Sequence, residues 1–340
     1  MQQATNKNSG CLWIFVVFVF TIVSFAVVKF FIGLPDFISF MVATIASIIA
    51  SNYLLGRPTW KSLLSNFLII GILIAGLNFI GSFFLEFASP NPSFSEEETV
   101  ANSYIIENND TIPVYTSVRN WKDNYGNPYK GNLTVRKNDY QELQGYMRTF
   151  THNNNETFWR SVYAKMDQMD APKLDLIMQL FKDIHSEKNL NQMQFADMVV
   201  SCIQDIPYSF VFEEACLEPK YYEDAIKDVL DDCPDCCIGN VRFGVQNPVS
   251  FIKNLKGDCD TRTVIIYSIL KHFNYDVAIA NSDFYRHSII GLNIPSTGSY
   301  KEYRGKKYTL WETTGKYFKL GYLPPNTDDV THWNIILTSK

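Results

Sequence analysis

The sequence predicts an α+β fold: three N-terminal transmembrane helices followed by a domain in which an antiparallel sheet packs on helices. Three observations predict it. Three long apolar runs fill roughly the first ninety residues. Apolar residues then recur at helical spacing between Pro172 and His272. Short strand-like runs follow to the C-terminus, and helices first with strands afterwards is the α+β layout.

A chain of 340 residues suits one or two domains. Its hydrophobic content of 46% is ordinary, but Phe, Ile, Val and Leu crowd the N-terminal quarter. The formal net charge is -5. There is no basic run and no basic stripe interleaved with aromatics, which excludes nucleic acid as a partner.

Residues 1–11 read as a cytoplasmic tail. The apolar runs are Leu12–Phe31, Phe37–Leu55 and Leu63–Phe87, each near the ~20 residues needed to cross a bilayer core. Backbone groups in lipid must bond internally, so each run is expected as a helix. A signal peptide is the other reading of the first run, but that run is long and two more follow it. Ser39, Thr44, Ser47, Ser51 and Asn52 dilute the second run. Lys7, Arg57 and Lys61 belong on the cytoplasmic side, and Lys29 can snorkel. Three crossings then place the rest of the chain on the extracytoplasmic, periplasmic side. The acidic Glu96, Glu97 and Glu98 agree. The expectation is an integral membrane protein, with the membrane itself as a partner.

Residues 89–170 read as a polar linker and small β-rich subdomain. Ser89–Ser95 is a Pro/Ser-rich stalk. Ile112–Val118 and Asn132–Arg136 read as strands around Asn120–Gly131, a stretch dense in turn formers. Residues 171–340 read as the main domain. Leu174, Ile177, Met178, Leu180, Phe181 and Ile184 recur at helical spacing, and Met193–Ile203 repeats the pattern. A strand at Tyr208–Phe212, a helix at Tyr221–Leu230 and a short helix at Pro248–Leu255 come next. Cys259–His272 is a helix with an apolar face. Strands are expected at Asp276–Ala280, His287–Leu292, Tyr308–Trp311 and Trp333–Leu337.

Cys259 stands at the first turn of its helix, where unpaired N–H groups and the helix dipole favour negative charge. A thiol there is expected to have a lowered pKa and more of the nucleophilic thiolate. Asp258 is placed to cap the helix, and the Cys259 N–H to face a developing oxyanion. His287 opens a strand and is a candidate base. Glu312 ends the strand that follows and is a candidate to orient that base, if the two strands pair antiparallel. Each has a plainer alternative: half of a disulfide, a strand histidine, a surface acid. Asp260 and Arg262 read as helix-surface or buried-pair residues, and Arg286 as a contact for an anionic substrate group.

At these residues the sequence resembles the transglutaminase-like superfamily, a membrane-anchored bacterial-type branch of the papain-like thiol enzymes. Gly257-Asp258-Cys259 resembles the family's G-x-C at a helix start. His287 stands where the family has a strand histidine. Trp311-Glu312-Thr313-Thr314 resembles the family's third motif, with Glu where Asp is usual. Gln204 and Ile206-Pro207-Tyr208 resemble its Q-x-I-x-Y segment. The resemblance spans Leu174 to Gly321. It implies a papain-like fold and a triad of Cys259, His287 and Glu312, with Gln204 as an oxyanion donor. It also implies a peptidase or amidase that acts through a thioester on an extracytoplasmic protein or peptide. No metal and no cofactor is required. The alternative is a drifted, non-catalytic module that binds a partner at the membrane surface.

Cys202, Cys216, Cys233, Cys236 and Cys237 crowd one stretch. A C-x-x-C with no paired histidine nearby is weak as a metal site, and the extracytoplasmic setting expected here favours disulfides. Five candidates leave one unpaired, and their connectivity is open.

Overall fold

The computed structural model describes residues 9–32, 36–56, 100–151 and 158–340. The chain divides into two units, Met1–Ala88 and Ser89–Lys340.

In the first unit, α1 (Ser9–Ile32) and α2 (Asp36–Leu55) pair. Trp13 Nε1 donates to Asn52 Oδ1 at 3.2 Å, and Phe25 meets Phe40 edge-on. Among the described residues no helix is long and apolar enough to cross a membrane. The expectation of three transmembrane helices is corrected on that finding. With it go the integral membrane placement, the membrane as a partner and the extracytoplasmic side, all of which rested on those crossings. Of the polar residues that dilute the second run, Thr44 Oγ1 donates to Phe40 O at 2.7 Å. Ser39, Ser47 and Ser51 are buried, and Ser47 Oγ donates to Ala43 O at 2.7 Å. The third run, Leu63–Phe87, lies outside the described residues, as do the stalk Ser89–Ser95, Lys7, Arg57, Lys61 and Glu96 to Glu98.

The second unit opens with an antiparallel meander, β1 (Ala101–Glu107), β2 (Asp110–Lys122) and β3 (Pro128–Arg136). Asn108 and Asn109 take positive φ of 53° and 73° in the two-residue connection, which asparagine tolerates and a tight hairpin demands. The second turn lies where the turn formers cluster. Asp123 Oδ1 accepts from Tyr125 N and Asn127 N, both at 2.9 Å. Because that carboxylate organises the turn so tightly, the strands reach further into Asn120–Gly131 than composition indicates.

Four helices follow: α3 (Lys137–Thr149), α4 (Phe158–Asp170), α5 (Asp175–Lys188) and α6 (Gln192–Gln204). A capping box between Asn191 and Gln194 starts α6. The two-residue strands β4 (Phe210–Val211) and β5 (Cys237–Ile238) pair in parallel around α7 (Asp224–Asp232). Then come α8 (Pro248–Asn254) and α9 (Cys259–His272). Every residue of α9 from Thr261 to Leu270 is buried, the condition of a helix enclosed on all sides.

The chain ends in a five-stranded sheet made of β6 (Val277–Ser282), β7 (His287–Leu292), β8 (Tyr300–Tyr303), β9 (Lys306–Trp311) and β10 (Asn334–Thr338). The order is β10-β6-β7-β9-β8, and all neighbours run antiparallel. One core joins the meander to α9 and the sheet: Trp121, Leu133, Phe181, Phe195, Ile265, Ile290 and Trp311 all belong to it. A smaller cluster with Ala280, Ile289, Leu310, Leu323 and Trp333 also forms.

Candidate active site

Cys259 begins α9. Asp258 is its N-cap, with Oδ1 accepting from Thr261 N at 3.1 Å and Thr261 Oγ1 at 2.6 Å. Gly257 is required for space, since a Cβ there would stand 2.9 Å from Phe251 Cδ2 and 3.1 Å from both Gln246 Nε2 and Thr261 Cγ2. Arg262 locks the loop from beneath. It is fully buried and donates to Gly257 O at 3.2 Å, to Ile203 O at 2.9 Å and to Ile206 O. The start of α9 is thereby tied to the end of α6.

The sheet delivers the other two groups. Ile290 opposes Trp311 in the β7–β9 register, so Glu312 follows opposite Ile289, a diagonal neighbour of His287. The two side chains meet, with His287 Nε2 2.8 Å from Glu312 Oε2. Glu312 Oε1 accepts three donors: Thr313 N at 2.8 Å, Thr314 N at 2.8 Å and Thr314 Oγ1 at 2.7 Å. The acid is 2% exposed. Burial alone would raise its carboxyl, but the His287 charge and these hydrogen bonds outweigh burial and hold it down at about 2. The His287 ring also acts on the Cys259 thiol, each favouring the charged form of the other. With Nε2 given to Glu312, Nδ1 is the nitrogen left for sulfur. Trp333, buried and fixed by an Nε1 bond to Thr327 O at 2.9 Å, lies edge-on against His287 at 5.8 Å.

The electrostatics reverse one expectation. The thiol is pushed up to about 11 by burial and by the Asp260 charge, against the pull of His287. The helix start favours a thiolate there, but burial of Cys259 beside acids opposes it. Burial opposes the charge on His287, yet Glu312 and Cys259 raise it well above the ordinary imidazole range. Asp258 is lifted to about 7 by burial and by Asp260. Glu312 therefore favours a charged His287 ring, while burial and Asp260 disfavour the thiolate.

A polar cluster that the sequence does not announce ties the start of α9 to the start of β7. Asp260 Oδ1 accepts from Tyr163 Oη at 2.6 Å and from Ser288 Oγ, which also bonds Asn281 Oδ1 at 2.7 Å. Thr263 Oγ1 donates to Ser288 O at 3.1 Å. Tyr163 and Ser288 carry no motif, and only the packing of α4 and β7 against α9 brings them together.

Gln204 does not act as an oxyanion donor in this arrangement. Its Nε2 donates to Glu312 O at 2.7 Å and Phe318 O at 3.1 Å, so the amide hydrogens are spent on backbone carbonyls. Arg286 is matched by an acid, with Nη1 3.1 Å from Glu223 Oε1.

Four of the five clustered cysteines pair, Cys216 with Cys237 and Cys233 with Cys236. Cys202 is corrected to a free, fully buried thiol on α6, its pKa raised by burial. It is walled off in the helical core, away from the stapled segment. Lys256 Nζ donates to Asp235 O at 2.7 Å and ties that segment to the loop before Cys259, and Ser209 N, ahead of the segment, donates to Gly257 O at 3.2 Å.

No family model matches the chain, nor does any curated protein or any solved structure.

Proposed function

We propose that the protein is a cysteine-dependent acyl-transfer enzyme of transglutaminase-like type, a peptidase or amidase working through a thioester on a protein or peptide. The observation that carries this reading is the 2.8 Å contact of His287 Nε2 with the buried Glu312 carboxylate, beside a Cys259 thiol on which the His287 charge acts.

The chemistry follows from that arrangement. The reactive form has one proton shared between sulfur and ring. In the thiolate–imidazolium form, Cys259 Sγ attacks the carbonyl carbon of an amide. The Cys259 N–H, at the first helical position and without an intrahelical acceptor, faces the developing oxyanion. As the C–N bond breaks, His287 passes its proton to the leaving amine. Water then attacks the thioester, His287 takes its proton, and the carboxylic acid leaves as sulfur is reprotonated. Glu312 keeps Nε2 protonated and Nδ1 turned to sulfur throughout.

A second reading is a drifted module that binds a partner without catalysis. The raised, 7%-exposed thiol favours it. Alkylation of the unreduced full-length protein by iodoacetamide, followed against pH and mapped by mass spectrometry, separates the two. The enzyme reading expects Cys259 to react faster than Cys202, with a rate that climbs into the alkaline range. It also expects His287→Ala to slow that rate at least about a hundredfold. If the His287 variant reacts at the parent rate across the profile, the enzyme reading fails and the module stands.

A further inference from the structure

Gln204 also lines a cleft of about 530 Å³ that the proposed reaction does not use, since none of Cys259, His287 and Glu312 lines it. One wall is the β2–β3 hairpin with Lys122 and Lys130. The ends of α5 and α6 supply Lys188 and Gln204. The loop after β9 supplies Lys316 and Tyr317. That volume falls within the range of sites for small organic ligands, about 300–1,000 Å³.

Two independent features point to what it takes. The first is charge. Four lysines line a cleft in a chain whose net charge is -5, so the positive field here is local and not a property of the whole molecule. Lys316 is paired with Asp205 at 2.7 Å and Lys188 with Glu187 at 3.2 Å. Lys122 and Lys130, both exposed, have no carboxylate partner among the described residues. The second feature is an orphaned acceptor. Gln204 is 1% exposed, and its Oε1 has no hydrogen-bond partner. A buried amide oxygen left bare costs free energy that a ligand N–H or O–H removes.

We infer that this cleft binds a small polyanion that carries phosphate groups for Lys122 and Lys130 and a donor for Gln204 Oε1. Lysine, a compact point charge with three donors, suits phosphate oxygens. The inference does not depend on the acyl-transfer reading.

Imidodiphosphate is the probe, because it joins two phosphates through an N–H. Calorimetric titration into full-length protein at low ionic strength is expected to show saturable binding that weakens several-fold as salt is raised. The Lys122→Glu/Lys130→Glu double variant changes only exposed side chains, so its fold is retained. It is expected to bind at least about a hundredfold more weakly, roughly tenfold for each charge-assisted hydrogen bond removed. Lys227→Glu on α7, outside the cleft, is expected to keep the parent affinity. Three results overturn the inference: no saturable heat up to about 10 mM, far weaker than a site of this kind; parent affinity in the double variant; or equal weakening by Lys227→Glu.

Discussion

Glu312→Gln tests the electrostatic core of the site. The three donors on Oε1, from Thr313 N, Thr314 N and Thr314 Oγ1, all require an acceptor. A glutamine must therefore turn its carbonyl oxygen to them and its NH2 to His287. A donor facing Nε2 forces that nitrogen to accept, which moves the ring proton to Nδ1, opposite sulfur. A neutral ring in that tautomer cannot take the thiol proton. The size of the effect comes from the same hydrogen bonds. Glu312 is held at about 2 against an ordinary 4.5, which at roughly 1.4 kcal/mol per pH unit is about 3 kcal/mol of preference for its charged form. Much of that is its attraction to the imidazolium, so the variant loses a comparable amount from the thiolate–imidazolium pair. The thiolate population then falls by about a hundredfold once the ring is deprotonated. The assay is the pH profile of Cys259 alkylation. In the parent the rate should climb about tenfold per pH unit into the alkaline range, because thiolate forms there by loss of a proton. The variant should flatten at a lower pH, on a plateau about a hundredfold lower. A plateau within about threefold of the parent would falsify the assignment of Glu312 as the group that holds His287.

Four further outcomes follow from the same geometry. Glu312 has a folded pKa below its unfolded one, so its stabilisation is complete above 4.5 and is lost as pH falls through to about 2; the gap in unfolding free energy between parent and Glu312→Gln should close over that window, and a constant gap would refute the linkage. Arg262→Met strands the carbonyls of Gly257, Ile203 and Ile206, so denaturant unfolding should show a loss of about 2–4 kcal/mol, and a loss under about 0.5 kcal/mol would contradict the role given to that guanidinium. Gly257→Ala forces a Cβ to within 2.9 Å of the Phe251 ring; a cost of about 1–3 kcal/mol is expected, together with slower Cys259 alkylation, and an unchanged melting temperature counts against the packing argument. Replacing Cys216 and Cys237 together by serine opens a closure of 21 residues, for which thermal unfolding should report about 3 kcal/mol lost, whereas no change would mean that β4 and β5 hold the segment without the bond.

Much of the site was legible in the sequence because it obeys local rules. Asp258 before an apolar-faced run marks a helix start, and Cys259 therefore lands on its first turn. His287 and Glu312 sit at the ends of runs of strand-forming residues, and antiparallel pairing of those runs brings opposite ends together. Periodicity located α5, α6 and α9. The N-terminal apolar runs show the limit of such reading. Length and hydropathy alone pointed to three crossings, and among the described residues no helix bears that out. Likewise β1, α3 and α4 were not anticipated, although Leu143 and Met147, and Val162 and Met166, recur at helical spacing and are buried, because the polar, Asn-rich residues around them masked the pattern.

What the sequence by itself determined is which residues meet at the candidate site and in which order the elements present them. Helix starts, strand alternation and turn formers are short-range properties. Tertiary structure alone decided the rest. It turned the Gln204 amide onto two backbone carbonyls, paired four cysteines and left Cys202 in the core, and set Tyr163 and Ser288 against Asp260. It also decided the protonation state of the site, since a helix start favours a thiolate while burial beside Asp260 opposes it. The physical reason is that desolvation and charge–charge energies depend on what surrounds a group in three dimensions, and chain neighbours supply only a small part of those surroundings.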